Sequence, residues 1–220
     1  MELLALSEPD RYAIESGTPR TASGGTFAVH EFPDHVVEHQ VPHSTALHSS
    51  LDGRRHLVGP LARYSINSAS LSETARQAAH AAGLGPTCRN PFRSIVVRAV
   101  EVVYAIDEAL RLIDEYERFE HASVDVPHHT AVGHGATEAP RGLLYHRYDI
   151  GADGLIRDAD IVPPTAQNQP AIEDDLRRLV AANLDLADHP LTSLCERAIR
   201  NYDPCISCSA HFLDLTVDRR

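Results

Sequence analysis

NPFRSIVVRAVEVVYAIDEALRLI, residues Asn90–Ile113, is the stretch that decides the fold class. Asn90 is suited to cap a helix and Pro91 to its first turn, where a missing N–H costs nothing. Beyond them Ile95, Val96, Ala99, Val103, Ile106, Leu110 and Ile113 recur at helical spacing. The predicted helix is long and apolar on more than one face, so it is expected to lie inside the protein.

Upstream, Ser70 and Glu73 form a candidate capping box, and an Ala-rich helix is expected to follow as far as Gly83 and Gly85. The first fifty residues mix Gly, Pro and His with short β-prone pieces such as TFAVHEF, and read as loops and short strands. Downstream, Phe119–Arg141 reads as loop. LLYHRYDI and LIRDADIV flank Gly151–Gly154 as a predicted β-hairpin ended by Pro163 and Pro164. Two helices follow, over 170–186 and 190–201, the second stopped by Asp203-Pro204 because proline disfavours a helical residue before it. The fold class is therefore mainly α with a small β element (α+β), in one unit over 1–220.

Bulk properties narrow the function. With 43% hydrophobic and 23% charged residues, the chain has the balance of a globular protein and not of a disordered one. A net charge of −11 with no basic stripe argues against nucleic-acid binding. No apolar run reaches bilayer length, and MELLALSEPDR lacks the basic and apolar regions of a signal peptide. The expectation is a cytoplasmic protein with reduced thiols.

The chemistry concentrates near the end, in Asp203-Pro-Cys-Ile-Ser-Cys-Ser-Ala-His211. Asp203 can cap a helical turn and Pro204 fits its first position. Cys205, Cys208 and His211 are then spaced three apart and share one face. A helix N-terminus favours the thiolate form, and soft thiolates select zinc, nickel or iron–sulfur iron. The pair alone also suits a redox dithiol or half of a structural zinc site. Cys195, four residues after Leu191 on an apolar face, reads as core, and Cys88 reads as a structural loop residue. His128 and His129 have no partner at ligand spacing and read as ordinary loop residues.

DPCxxCxxH resembles the carboxy-terminal signature of nickel–iron hydrogenase large subunits. VGPLAR at Val58–Arg63, EAPRG at Glu138–Gly142, PTAQN at Pro164–Asn168 and the long-helix segment itself are similar to that family too. VPHSTALHS at Val41–Ser49 resembles the cytoplasmic, cofactor-linked bidirectional branch. The resemblance covers nearly the whole chain and implies the carboxy-terminal half of the large-subunit fold.

It also implies roles. Cys205 would be a terminal nickel ligand and Cys208 a ligand bridging nickel and iron, the iron carrying carbon monoxide and cyanide. His211 would hold a nearby magnesium or iron ion, with a backbone carbonyl near Ile161 as a further ligand. Arg141 would hang over the open side of the centre, oriented by Asp203. Pro164 and Thr165 would meet a cyanide. The implied reaction is reversible heterolytic cleavage of H2, with the Cys205 thiolate and Arg141 as alternative proton acceptors.

The sequence departs from the family in two ways. The RxCGxC-type motif that supplies the other two thiolates does not occur in it, so the chain by itself is expected to be inactive. FLDLTVDRR follows His211, which makes residues 212–220 resemble a cleavable tail awaiting a maturation endopeptidase. A split subunit completed by a separate amino-terminal half, a fragment, and a decayed remnant are all consistent with this. Implied partners are that half, a small iron–sulfur subunit and diaphorase subunits linked to a nicotinamide. The competing class is a non-catalytic metal-binding or assembly module. A metal-free quinone-site subunit of respiratory complex I is disfavoured by the retained Cys205 and Cys208.

Overall fold

The computed structural model describes residues 1–127, 129–203 and 216. Its architecture grows around one strand, β1 (Glu2–Ser7), whose apolar run is buried on both faces. Alternation along a strand sends successive side chains to opposite sides. Leu3 and Ala5 therefore enter one hydrophobic cluster, and Leu4 and Leu6 the other. β2 (Thr18–Thr21) pairs antiparallel with β1 on one side. A helical turn, α1 (Phe32–His35), follows, then the antiparallel pair β3 (Val36–His39) and β4 (His48–Leu51). The short β5 (His56–Leu57) closes the first sheet by parallel pairing with β1.

TFAVHEF, expected to be β-prone, instead forms a 3-10 turn over Val29–Glu31 that runs into α1. Pro33 in the first turn of α1 and a Glu31 carboxylate accepting from the Ala28 N–H at 2.7 Å favour the helical turn over a strand.

The helical side comes next. α2 spans Pro60–Asn67, α3 Glu73–Ala81 and α4 Ser94–Asp114. α3 is capped by Ser72, whose Oγ accepts from the Ala75 N–H at 3.3 Å and donates to Asp107 of α4 at 2.6 Å. The expected cap, Ser70, belongs to a preceding 3-10 turn and plays no part. Asn90 caps as expected, though its Oδ1 accepts from Phe92 in a 3-10 turn that precedes α4.

α4 departs from expectation in a more consequential way. Only Ser94, Val97 and Val100 are buried along its 21 residues. Ile95, Val102, Ile106, Leu110 and Ile113 are exposed. α2 and α3 pack on one face of the helix, and these exposed side chains lie on the rest of its surface. The apolar stripe that suggested an interior helix is mostly its outward surface.

An antiparallel meander follows: β6 (Ala131–Ala139), β7 (Gly142–Ile150) and β8 (Ile156–Val162). The hairpin around Gly151–Gly154 matches its sequence reading. β6 does not, since residues 131–139 read as loop. Its AVGHGATEA is mostly exposed and lacks a two-residue apolar alternation, so β7 pairing holds it in place. α5 (Pro164–Ala181) and α6 (Asp188–Arg200) end the described fold. α5 begins six residues earlier than expected, with Pro164 in its first turn and Pro170 inside it. Leu191 and Cys195 are fully buried on α6, and Cys88 is buried in its loop. The result is a mixed helix-and-sheet fold.

Candidate functional site

The three short motifs, far apart in sequence, meet at the turn between β6 and β7. Ala139 faces Gly142 across that turn, leaving Pro140 and Arg141 at its tip. Gly142 has φ of 138°, and a Cβ there would lie 2.4 Å from Val58 Cγ2. Gly59, with φ of 101°, would place a Cβ 2.6 Å from the Arg141 carbonyl oxygen. Two backbones touch here, which only glycine on each side permits. Asn168 of α5 locks the third motif to this contact. Its Oδ1 accepts from the Val58 N–H at 2.9 Å, and its Nδ2 donates to the Arg141 carbonyl at 3.2 Å.

Arg63, the last residue of VGPLAR, reaches the same turn from α2. Its guanidinium donates to the carbonyls of Ala139 at 2.8 Å and Pro140 at 3.2 Å. It also donates to Glu138 at 3.1 Å and to both carboxylate oxygens of Glu101 on α4, at 2.7 and 2.8 Å. Burial works against the Arg63 charge, but Glu101 and Glu138 more than offset it and keep the guanidinium protonated. Burial pushes the Glu138 carboxyl up to about 7, against the pull of Arg63 and of the Leu6 N–H that donates to it. Tyr12 completes the group by donating its hydroxyl to Glu101 at 2.7 Å, and burial raises its pKa.

Arg141 itself points along the other side of the turn. Its Nε donates to the Asp203 backbone carbonyl at 2.5 Å and lies 3.7 Å from the Asp203 carboxylate. Arg98 of α4 approaches the same carboxylate at 3.5 Å. Asp203 has φ of 51°, a left-handed conformation that is uncommon outside glycine but open to aspartate. Tyr202 anchors the segment by donating its hydroxyl to Asp175 on α5. A cleft of about 600 Å³, bordered by Tyr12, Arg63, Arg98, Val102, Pro140 and Asp203, runs beside this cluster under the exposed face of α4.

Arg141 and Asp203, paired on sequence grounds, are therefore in contact. Pro164 is buried and Thr165 half-buried at the N-terminus of α5, one turn before the Asn168 that bonds to Arg141. Cys205, Cys208 and His211 lie outside the described residues, as does the turn that Asp203 was expected to cap. So does His128, while His129 lies in loop. Sequence reasoning missed the individual parts played by Arg63, Arg98, Glu138 and Asn168. Each sits inside a segment already singled out, but nothing local shows which side chain faces the turn.

The chain as a whole resembles known proteins. The family model described as nickel-dependent hydrogenase matches residues 43–211. Sulfhydrogenase 1 subunit alpha of Pyrococcus furiosus is 33% identical over 210 residues, which is 94% of this chain and 48% of that protein. The crystal structure of an NAD+-reducing [NiFe]-hydrogenase in the H2-reduced state superposes with a TM-score of 0.78 at 26% identity, covering 96% of this chain and 51% of that one. The Ni-Fe-Se hydrogenase from D. vulgaris Hildenborough shares the fold, with a TM-score of 0.63 at 20% identity over 96% of this chain and 52% of that one. The chain thus spans about half the length of these proteins.

Proposed function

The chain belongs to the nickel-dependent hydrogenase family, and from that membership we propose that it is the carboxy-terminal part of a nickel–iron hydrogenase large subunit that cleaves H2 reversibly once assembled. The observation that carries this reading is the convergence of three motifs on one turn. They hold Arg141 against Asp203, the residue that opens the DPCISCSAH segment.

The described residues fit an anionic, cyanide-bearing metal group. Arg141 supplies a fixed cation, and the α5 N-terminus beside it carries the positive end of a helix dipole. Cys205 and Cys208 would hold nickel and iron as thiolates, and His211 a magnesium or iron ion. The centre, when bound, supplies the Lewis acidity for heterolytic H2 cleavage.

This chain's own residues do the rest. Asp203 holds the Arg141 guanidinium in one orientation, with Arg98 balancing its carboxylate. Arg141 would hydrogen-bond a cyanide ligand, and the proton would pass to the Cys205 thiolate, or to Arg141 only once its guanidinium has given up a proton of its own. Thr165 would donate its hydroxyl to the second cyanide. The remaining two thiolates come from polypeptide outside these 220 residues, and the exposed apolar face of α4 is where that polypeptide packs. Electrons leave through a small iron–sulfur subunit, and the NAD+-reducing neighbour supports a diaphorase and a nicotinamide as acceptor. Residues 212–220 are removed by a maturation endopeptidase, and the complex works in the cytoplasm. No helix among the described residues is long and apolar enough to cross a membrane.

The test is to produce the chain with its neighbouring genes, purify the complex, and measure nickel, iron and H2-dependent dye reduction. All three should be present; in Cys205→Ala nickel and dye reduction should vanish, and iron should fall only by the share of the nickel–iron centre, since the iron–sulfur subunit keeps its own. A complex that never contains nickel and reduces no dye would leave the non-catalytic metal-binding or assembly module instead.

A further inference from the structure

Away from this cluster, where the β3–β4 connection meets α5, two imidazoles converge on one carboxylate. His43 Nε2 lies 3.1 Å from both oxygens of Glu173. His48 Nε2 lies 3.1 Å from Oε1 of the same group. The three donor atoms all fall within 4.8 Å of one another. Gln169, one turn earlier on α5, donates to Glu173 at 3.4 Å.

His48 is the informative member. Its side chain is only 7% exposed. Although its Nε2 is close to Glu173, the angle is wrong for a hydrogen bond, and the nitrogen has no hydrogen-bond partner among the described residues. A buried ring nitrogen without a partner is a rarity that calls for a physical reason. A cation seated between the three groups supplies one, because it accepts lone pairs from both rings and the carboxylate together.

The donor set is two imidazole nitrogens and one oxygen, which suits borderline divalent ions of the zinc class and not magnesium or calcium. Ligands of a tetrahedral zinc ion at about 2.0–2.2 Å stand roughly 3.3–3.5 Å apart. Glu173 already sits near that distance from both rings. His43 is 66% exposed and free to close the remaining gap.

We propose that His43, His48 and Glu173 form a zinc-class metal site that clamps the β3–β4 connection onto α5. It has three protein ligands and one position for water. The site is independent of the nickel–iron reading, since it shares no residue with Cys205, Cys208 or His211.

The experiment uses the full chain carrying Cys205→Ser and Cys208→Ser, so that thiolates do not contribute. After stripping with chelator it is titrated with zinc by calorimetry, with magnesium as control, and its melting temperature is followed. One equivalent of zinc should bind and raise the melting temperature, and magnesium should do neither. His43→Ala should weaken zinc binding by at least ~10-fold, since even outer-shell changes cost that much. Because His43 is exposed, this variant leaves the packing intact, and unchanged far-UV circular dichroism verifies that. Glu173→Gln should act in the same direction. No zinc uptake, or uptake indifferent to both substitutions, would overturn the site. The nickel content of the assembled complex is unaffected either way.

Discussion

His56 enters the interior without a charged partner. It is fully buried, 3.4 Å from the Gln167 side-chain oxygen, and its Nδ1 has no hydrogen-bond partner among the described residues. Burial depresses its pKa from 6.5 to about 4, partly countered by Gln167. The folded value lies below the unfolded one. The stability it contributes is therefore complete above pH 6.5 and lost as the pH falls toward 4, and a gap of this size corresponds to about 3 kcal/mol. Glu138 runs the opposite way. Its carboxyl rises from 4.5 to about 7, so its contribution is complete below 4.5 and lost as the pH climbs to 7. The two oppose each other across one window, and a pH profile of the unaltered chain blurs them. The clean measurement is the stability difference between the chain and His56→Gln by urea denaturation. That difference should narrow by up to about 3 kcal/mol between pH 7 and pH 4. A difference constant with pH would rule out a neutral buried His56. His56 does not stand out in the sequence, because a histidine's burial depends on what packs over it and not on its neighbours in the chain.

Arg63 acts between elements. From α2 it joins Glu101 on α4 to Glu138 on β6 and braces two carbonyls of the turn that carries Arg141. Replacing it by Met would leave two largely buried carboxylates without their cation. The expected loss is about 3–5 kcal/mol, read from the denaturation midpoint. Loss of under 1 kcal/mol would mean that water reaches Glu101 and Glu138 freely and that the brace is decorative. The element-scale reading of the sequence succeeded where local signals were strong. Asn90-Pro91 placed a helix start, Gly151–Gly154 placed a hairpin, and Leu191 with Cys195 marked a buried face. It failed where the deciding partner was distant. Ser70 and Ser72 are both acceptable caps, and the Asp107 contact from α4 favours Ser72. Residues 131–139 carry little strand signal, and β7 supplies the pairing.

At the scale of the molecule, α4 is the unusual feature. Ile106 and Leu110 are each 57% exposed on a helix whose other face is packed. If this face receives the rest of a large subunit, Ile106→Asp with Leu110→Asp should leave the melting temperature of the isolated chain within about 2 °C, since exposed substitutions rarely exceed ±0.5 kcal/mol. The same pair should abolish co-purification with the partner polypeptide. Retained assembly would place the interface elsewhere. The substitutions remove apolar area from water-facing positions, so only a partner that buries that area can register their loss.

The sequence by itself determined the chemistry available to this protein. Cysteines three residues apart after Asp-Pro, an arginine between Pro and Gly, and a proline-led helix start are all local facts, because residue type and spacing set them. It also determined the helices and hairpin whose caps and turn residues lie within a few positions. Tertiary structure decided which side chains share a place. Arg141 reaches Asp203 across 62 residues, and Asn168 fastens Val58 across 110. His43 meets Glu173 across 130. Tertiary structure also turned the most apolar helix outward. Contacts of this length depend on how elements pack, and periodicity shows that a face is apolar without showing what covers it.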